Sequence, residues 1–154
     1  MIVFYGHAET DKLYAHGTLA QAKDPAIDLN NAHLLQDKII YAVACQSAKK
    51  LGDDAVNTHG AKVYVGYEEK LWFVFGGPEY WFRRTVNEML LEHLEQPGVV
   101  CRDTFDHMGE TYDAAIAYYQ TGGGVGHYNA GKAIQYLQDN KRCLRLLGDQ
   151  NETF

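Results

Sequence analysis

Apolar residues fall in short unbroken runs in the first half of the chain and in helical stripes in the second. Met1 to Tyr5 is one run, and it ends at Gly6-His7. Lys38 to Ala44 carries a second, which ends at Cys45-Gln46-Ser47-Ala48. Ala61 to Tyr67 is a third. Runs of this length, rich in branched and aromatic side chains, predict buried strands. Between the second and third, Ala48, Leu51, Ala55 and Val56 recur at roughly helical spacing. This predicts a helix over 46–56 that opens at the cysteine. Residues 8–37 are mixed and polar, with Pro25 and Asn30-Asn31, and predict mostly loop with a turn of helix near Ala32 to Leu35. Lys70 to Phe75 is short and aromatic, either a fourth strand or a buried loop.

The pattern then changes period. Pro78 suits a helix start, and Trp81, Phe82, Val86, Met89, Leu90 and Leu94 form a stripe that stops at Pro97-Gly98. A second helix is predicted over 104–120, broken by Gly122-Gly123-Gly124. A third runs from about Asn129 to Leu147. Strand, helix and strand around Cys45 make a βαβ unit, whose strands run parallel with a right-handed crossover. The expected fold class is therefore α/β. It has a small, mainly parallel sheet of three to four strands and a C-terminal helical segment, in one domain over 1–154. A strand-rich half covers 1–75 and a helical segment 76–154.

The carboxyl ends of parallel strands are where such sheets bind ligands. His7 and Cys45 both stand at such ends and can face each other if their strands are neighbours. A thiolate nucleophile and an imidazole proton donor are what a Cys–His hydrolase needs. A cysteine at a helix start is also favoured as a thiolate by the helix dipole. The alternative for Cys45 is a core cysteine. His16, in Ala15-His16-Gly17, competes with His7 for the role of base, and His7 is preferred because it ends a strand.

Composition narrows the classes. The 154 residues suffice for one core, and the formal charge of −6, with no basic stripe, argues against nucleic acid and anionic lipid as partners. Three widely spaced cysteines, Cys45, Cys101 and Cys143, disfavour a disulfide framework or a four-thiolate zinc site and suit a reducing cytoplasm. No basic leader precedes the first strand, and no apolar run reaches the length of a membrane span. His7, His16, Cys45 and His59 could supply zinc ligands but lack close paired spacing. Gly126 to Ala133 nearly matches a P-loop, yet Ala133 stands where a Ser or Thr should hold magnesium. No metal and no cofactor are expected.

Three segments carry a resemblance. Phe4-Tyr5-Gly6-His7 resembles the strand-plus-Gly-His motif of the caspase-like (clan CD) cysteine peptidases. Val43-Ala44-Cys45-Gln46-Ser47-Ala48 is similar to their Ala-Cys-x-Ser/Gly motif. Gly60 to Tyr67 looks like the Gly-Ala strand after the cysteine helix in CHAT-type and gingipain-like bacterial members. The resemblance covers about residues 1–75. Ala8 departs from the Gly that usually follows the family's histidine. The resemblance implies the C-terminal half of a caspase-like fold, with Cys45 as nucleophile and His7 as general acid/base. It also implies an oxyanion hole from the backbone N–H groups of Cys45 and Ala8. The family commonly selects a charged residue before the scissile bond, and Glu68 and Glu69 could receive a basic one; two solvated loop carboxylates are the plainer alternative. The expected activity is hydrolysis of a protein or peptide substrate. The other expectation is a catalytically inactive module that binds a partner protein. Because the pattern opens at the histidine strand, the sheet is expected to be completed by a homodimer or a partner chain.

Overall fold

The computed structural model describes residues 1–14, 24–76 and 78–153. Its main sheet has the order β1-β5-β6-β7, formed by Ile2–Tyr5, Ile39–Val43, Val63–Tyr67 and Leu144–Gly148. β1, β5 and β6 run parallel, and β7 pairs antiparallel with β6. The fold is thus α/β with a mixed four-stranded sheet, and the three apolar runs are its parallel strands. β5 and β6 are buried along their whole length, because both faces of the sheet are covered and every position must be apolar or satisfied.

Alternation assigns the two faces. Ile39, Tyr41 and Val43 of β5 pack in one core with Val63, Val65 and Tyr67 of β6. That core is closed by α2 (Glu79–Glu95), α3 (Cys101–Thr121) and α4 (Ala130–Cys143), which contribute Phe82, Met89, Met108, Tyr112 and Leu137. Ile40, Ala42, Ala44 and Tyr64 face the other way, against Leu51 and Ala55 of α1 (Lys50–Asn57) and against Ala32 and Leu35. Helix α1 lies close to the sheet, since a Cβ at Gly52 would come within 3.0 Å of the Tyr64 ring.

Three expectations need correction. The helix after the cysteine starts at Lys50, and residues 46–49 form a turn instead. Gln46 has φ +56, and the N–H groups of Gln46 and Ala48 donate to Glu69 and Tyr67 carbonyls at 2.9 and 3.1 Å. The turn is therefore tied to the end of β6, while Lys50 and Leu51 N–H groups both donate to Thr10 O at 2.9 Å. Residues 8–37 hold more than loop. β2 (Ala8–Glu9), β3 (Lys12–Tyr14) and β4 (Pro25–Asp28) form a second, antiparallel sheet, followed by the expected turn of helix at Ala32–Leu35. The third long helix stops at Cys143, and Leu144–Gly148 leave it as β7. Lys70 to Phe75 form no strand and run as loop. No helix among the described residues is long and apolar enough to cross a membrane.

Candidate functional site

β1 and β5 are adjacent, and their register pairs Phe4 with Ala42 and Tyr5 with Val43. The ladder runs one step further, with Gly6 N–H donating to Val43 O at 3.3 Å. Tyr5 and Val43 end the two strands side by side at the carboxyl end of the sheet, and His7 and Cys45 each follow two residues beyond that last pair. Strand parity puts Cys45 on the face of Tyr41 and Val43, and it packs at the margin of the α2–α4 core. Tyr5 shares that face and its hydroxyl donates to Asn87 Oδ1 of α2 at 2.6 Å.

Past Gly6 the chain turns into the small sheet. Tyr14 N–H donates to His7 O at 3.0 Å, and Ala8 stands opposite Leu13. In an antiparallel ladder, hydrogen-bonded and non-hydrogen-bonded pairs alternate. The Ala8–Leu13 pair is of the second kind, so Ala8 N–H points away from β3.

Cys45 Sγ is gripped by the backbone of Leu71, which donates its N–H to the sulfur at 3.4 Å and faces the thiol with its carbonyl at 3.8 Å. The turn behind the cysteine is fixed by Ser47, which sequence reasoning treated only as part of a motif. This fully buried hydroxyl donates to Ala42 O at 3.0 Å and accepts Tyr67 N–H at 3.2 Å. It bridges β5 and β6 where they part. Gly66 makes room for it, because a Cβ there would lie 2.6 Å from Ser47 Oγ.

The loop carrying Leu71 is itself pinned. Asn140 of α4 is fully buried, accepts Trp72 N–H at 2.8 Å and donates to Trp72 O at 2.7 Å. Trp72 stacks on Tyr136 with ring centroids 5.1 Å apart, and Lys70 Nζ lies 5.9 Å from the Trp72 ring centre. On one side of this loop is a polar cleft of about 310 Å³ lined by Gln46, Glu69, Lys70, Trp72, Asp139 and Arg142. An apolar cleft of about 320 Å³, lined by Phe73, Val74, Phe75, Glu79, Phe82 and Arg83, also borders the loop. Glu69 thus borders a cleft beside the cysteine turn, and it lies 3.5 Å from Lys49 Nζ. Glu68 does not line that cleft; its carboxylate pairs with Arg145 of β7.

The other cysteines are buried, Cys101 with its thiol pKa pushed up by burial to about 11 and Cys143 also raised by burial. Neither favours a thiolate at neutral pH. His16, the alternative base, lies outside the described residues. The zinc set His7, Cys45 and His59 is not brought together. His59 follows α1, whose chain has returned toward the amino ends of the strands, and its Nε2 lies 3.2 Å from Asp54. Gly126 to Ala133 spans a turn and the first residues of α4, preceded by α3 rather than a strand, so it has no P-loop setting. Compared with protein-family models, curated proteins and solved structures, the chain finds no match in any of the three.

Proposed function

We propose that the chain is a cysteine-type peptidase of caspase-like fold working through Cys45 and His7. The observation that carries this is the parallel β1–β5 register, which brings the two residues to adjacent strand ends on one rim of the sheet. In this mechanism the Cys45 thiolate attacks the scissile carbonyl carbon, and the carbonyl π electrons move to oxygen. The N–H groups of Cys45 and Ala8 hold that oxyanion. Collapse of the intermediate expels the amine, which takes a proton from the His7 imidazolium. Neutral His7 then draws a proton from water as it attacks the thioester, which releases the acid and regenerates the thiol. The polar cleft would take the side chain before the scissile bond, with Glu69 and Asp139 available to a basic one and Lys70 and Arg142 to an acidic one. A nucleophile of this kind belongs in a reducing compartment such as the cytoplasm.

The test is limited alkylation with iodoacetamide followed by mass-spectrometric mapping, paired with turnover of peptide amides carrying Arg, Lys or Asp before the scissile bond. Cys45 should label faster than Cys101 and Cys143, and His7→Ala should abolish turnover as completely as Cys45→Ala. Equal labelling of the three thiols would sink the proposal. A second reading, an inactive caspase-like module that binds a partner protein, is favoured by the Leu71 backbone closing on Sγ and by Ala8 in place of the family's glycine. Selective labelling with no turnover of any of the peptides would decide for it.

A further inference from the structure

A second cluster, independent of Cys45, lies between α2 and α3. Glu88, Glu92 and His107 each offer one ligand atom, and these atoms all lie within 4.8 Å of one another. No other group of three such residues does so among the described residues. Glu88 and Glu92 are four apart on α2 and so share a face. His107 meets them from α3, with Nδ1 in close contact with Glu92 Oε1 and 3.8 Å from Glu88 Oε1. The carboxylates are deep, Glu88 being 1% and Glu92 12% exposed, whereas His107 is 44% exposed. The cluster is therefore closed on the helix side and open to solvent past the imidazole.

Its charge and hydrogen bonding are unbalanced. Among the described residues Arg84 is the guanidinium paired with the cluster; its Nη2 donates to Glu88 Oε1 at 2.8 Å, and its Nε lies 2.8 Å from Oε2. Glu95 and Glu110 add further negative charge around Glu88 and His107 respectively. Four carboxylates thus face one arginine and one histidine. Glu88 Oε2 is held by that guanidinium, whereas the buried Oε2 of Glu92 has no hydrogen-bond partner. A separate sign comes from α3. Thr104, fully buried and one turn before His107, has a hydroxyl with no partner. A short link makes α2 and α3 antiparallel neighbours, so Thr104 stands on the Glu92 side of His107. A buried carboxylate oxygen left unsatisfied is costly, and a cation between Glu88, Glu92 and His107 removes that cost for Glu92.

We propose that Glu88, Glu92 and His107 bind one divalent transition-metal ion of the zinc class, which bolts α2 to α3. Two carboxylate oxygens and an imidazole nitrogen suit zinc or manganese better than magnesium or calcium, which prefer oxygen alone, and the lack of a thiolate disfavours copper(I). Positions not filled by the protein are left for water on the open side of His107. The i, i+4 carboxylates supply one helix's share and the imidazole the other's, so the ion is held only when the helices are docked.

Isothermal titration of the full chain with Zn²⁺ under a non-thiol reductant tests this, with Mg²⁺ as the comparison. One equivalent of zinc should bind, the thermal midpoint should rise with zinc, and Mg²⁺ should do neither. His107→Gln and Glu92→Gln, both near-isosteric, should each weaken zinc binding at least tenfold, with circular dichroism confirming the fold. Cys45→Ala should leave it unchanged. Loaded with Co²⁺, the protein should show ligand-field bands without a thiolate charge-transfer band. Absence of zinc binding, unchanged affinity in both glutamine variants, or a thiolate band would each overturn the proposal.

Discussion

Replacing Asn140 with Leu removes one side chain and leaves a loop unsupported. The near-isosteric change keeps the volume of a fully buried site but takes away the acceptor for Trp72 N–H and the donor to Trp72 O. Each backbone group left unpaired costs about 1–3 kcal/mol. Trp72 is half-exposed, so water reaches part of this backbone and the lower half of the range applies. The two groups together should cost about 2–4 kcal/mol. With a urea slope of about 2 kcal/mol/M, the midpoint should fall by about 1–2 M. The effect should also travel one residue along the loop. Leu71 holds Cys45 Sγ through its own N–H and carbonyl, so loosening Trp72 should expose the thiol and speed its alkylation several-fold under native conditions. Gln138→Ala, an exposed change in the same helical turn, should stay within about 0.5 kcal/mol and leave labelling untouched. If Asn140→Leu also stays within that margin and Cys45 labels at its original rate, the loop is held by something else.

Alkaline pH should unfold the protein cooperatively. Tyr41, Tyr64, Tyr67 and Tyr112 are fully buried, and burial raises each phenol above its usual 10.0. A raised folded-state pKa gives stability that is complete below the unfolded value and lost as pH climbs from there toward the folded value. Each such phenol removes about 1.4 kcal/mol per pH unit in that window. Phenolate absorbance followed with circular dichroism should show these four ionising only as the helices melt; a smooth non-cooperative titration with the fold intact would contradict this. The edge of the main sheet should also recruit a strand. β1 ends the order β1-β5-β6-β7 and exposes Ile2 and Tyr5, leaving outward backbone groups that favour pairing with another chain. Sedimentation equilibrium at micromolar concentration should report a dimer, and Ile2→Pro should shift it to monomer; a clean monomer mass for the unaltered chain would refute self-pairing.

What the sequence made legible follows from how local each signal is. β5 and β6 were readable because a strand buried on both faces is an unbroken apolar run, and Cys45 and His7 stood out because those runs stop beside them. The small sheet was not readable. Its strands are two to four residues long, too short for a period, and Thr10 is fixed by taking the first N–H groups of α1. Leu144-Arg145-Leu146-Leu147 continues a helical stripe as well as it starts a strand, and only the open side of β6 decides between them. The same reasoning separates the two candidate sites. A nucleophile at a strand end depends on one run and its neighbour, both visible in the chain. Glu88 and Glu92 in isolation are a solvated i, i+4 pair like many others. They become a ligand set only because α2 and α3 pack on one core, to which Met89 and Met108 both belong, and so bring His107 to them. Polar groups whose partners come from another helix have no period of their own, so Asn140 and the glutamate–histidine cluster carry chemistry that the tertiary fold alone reveals.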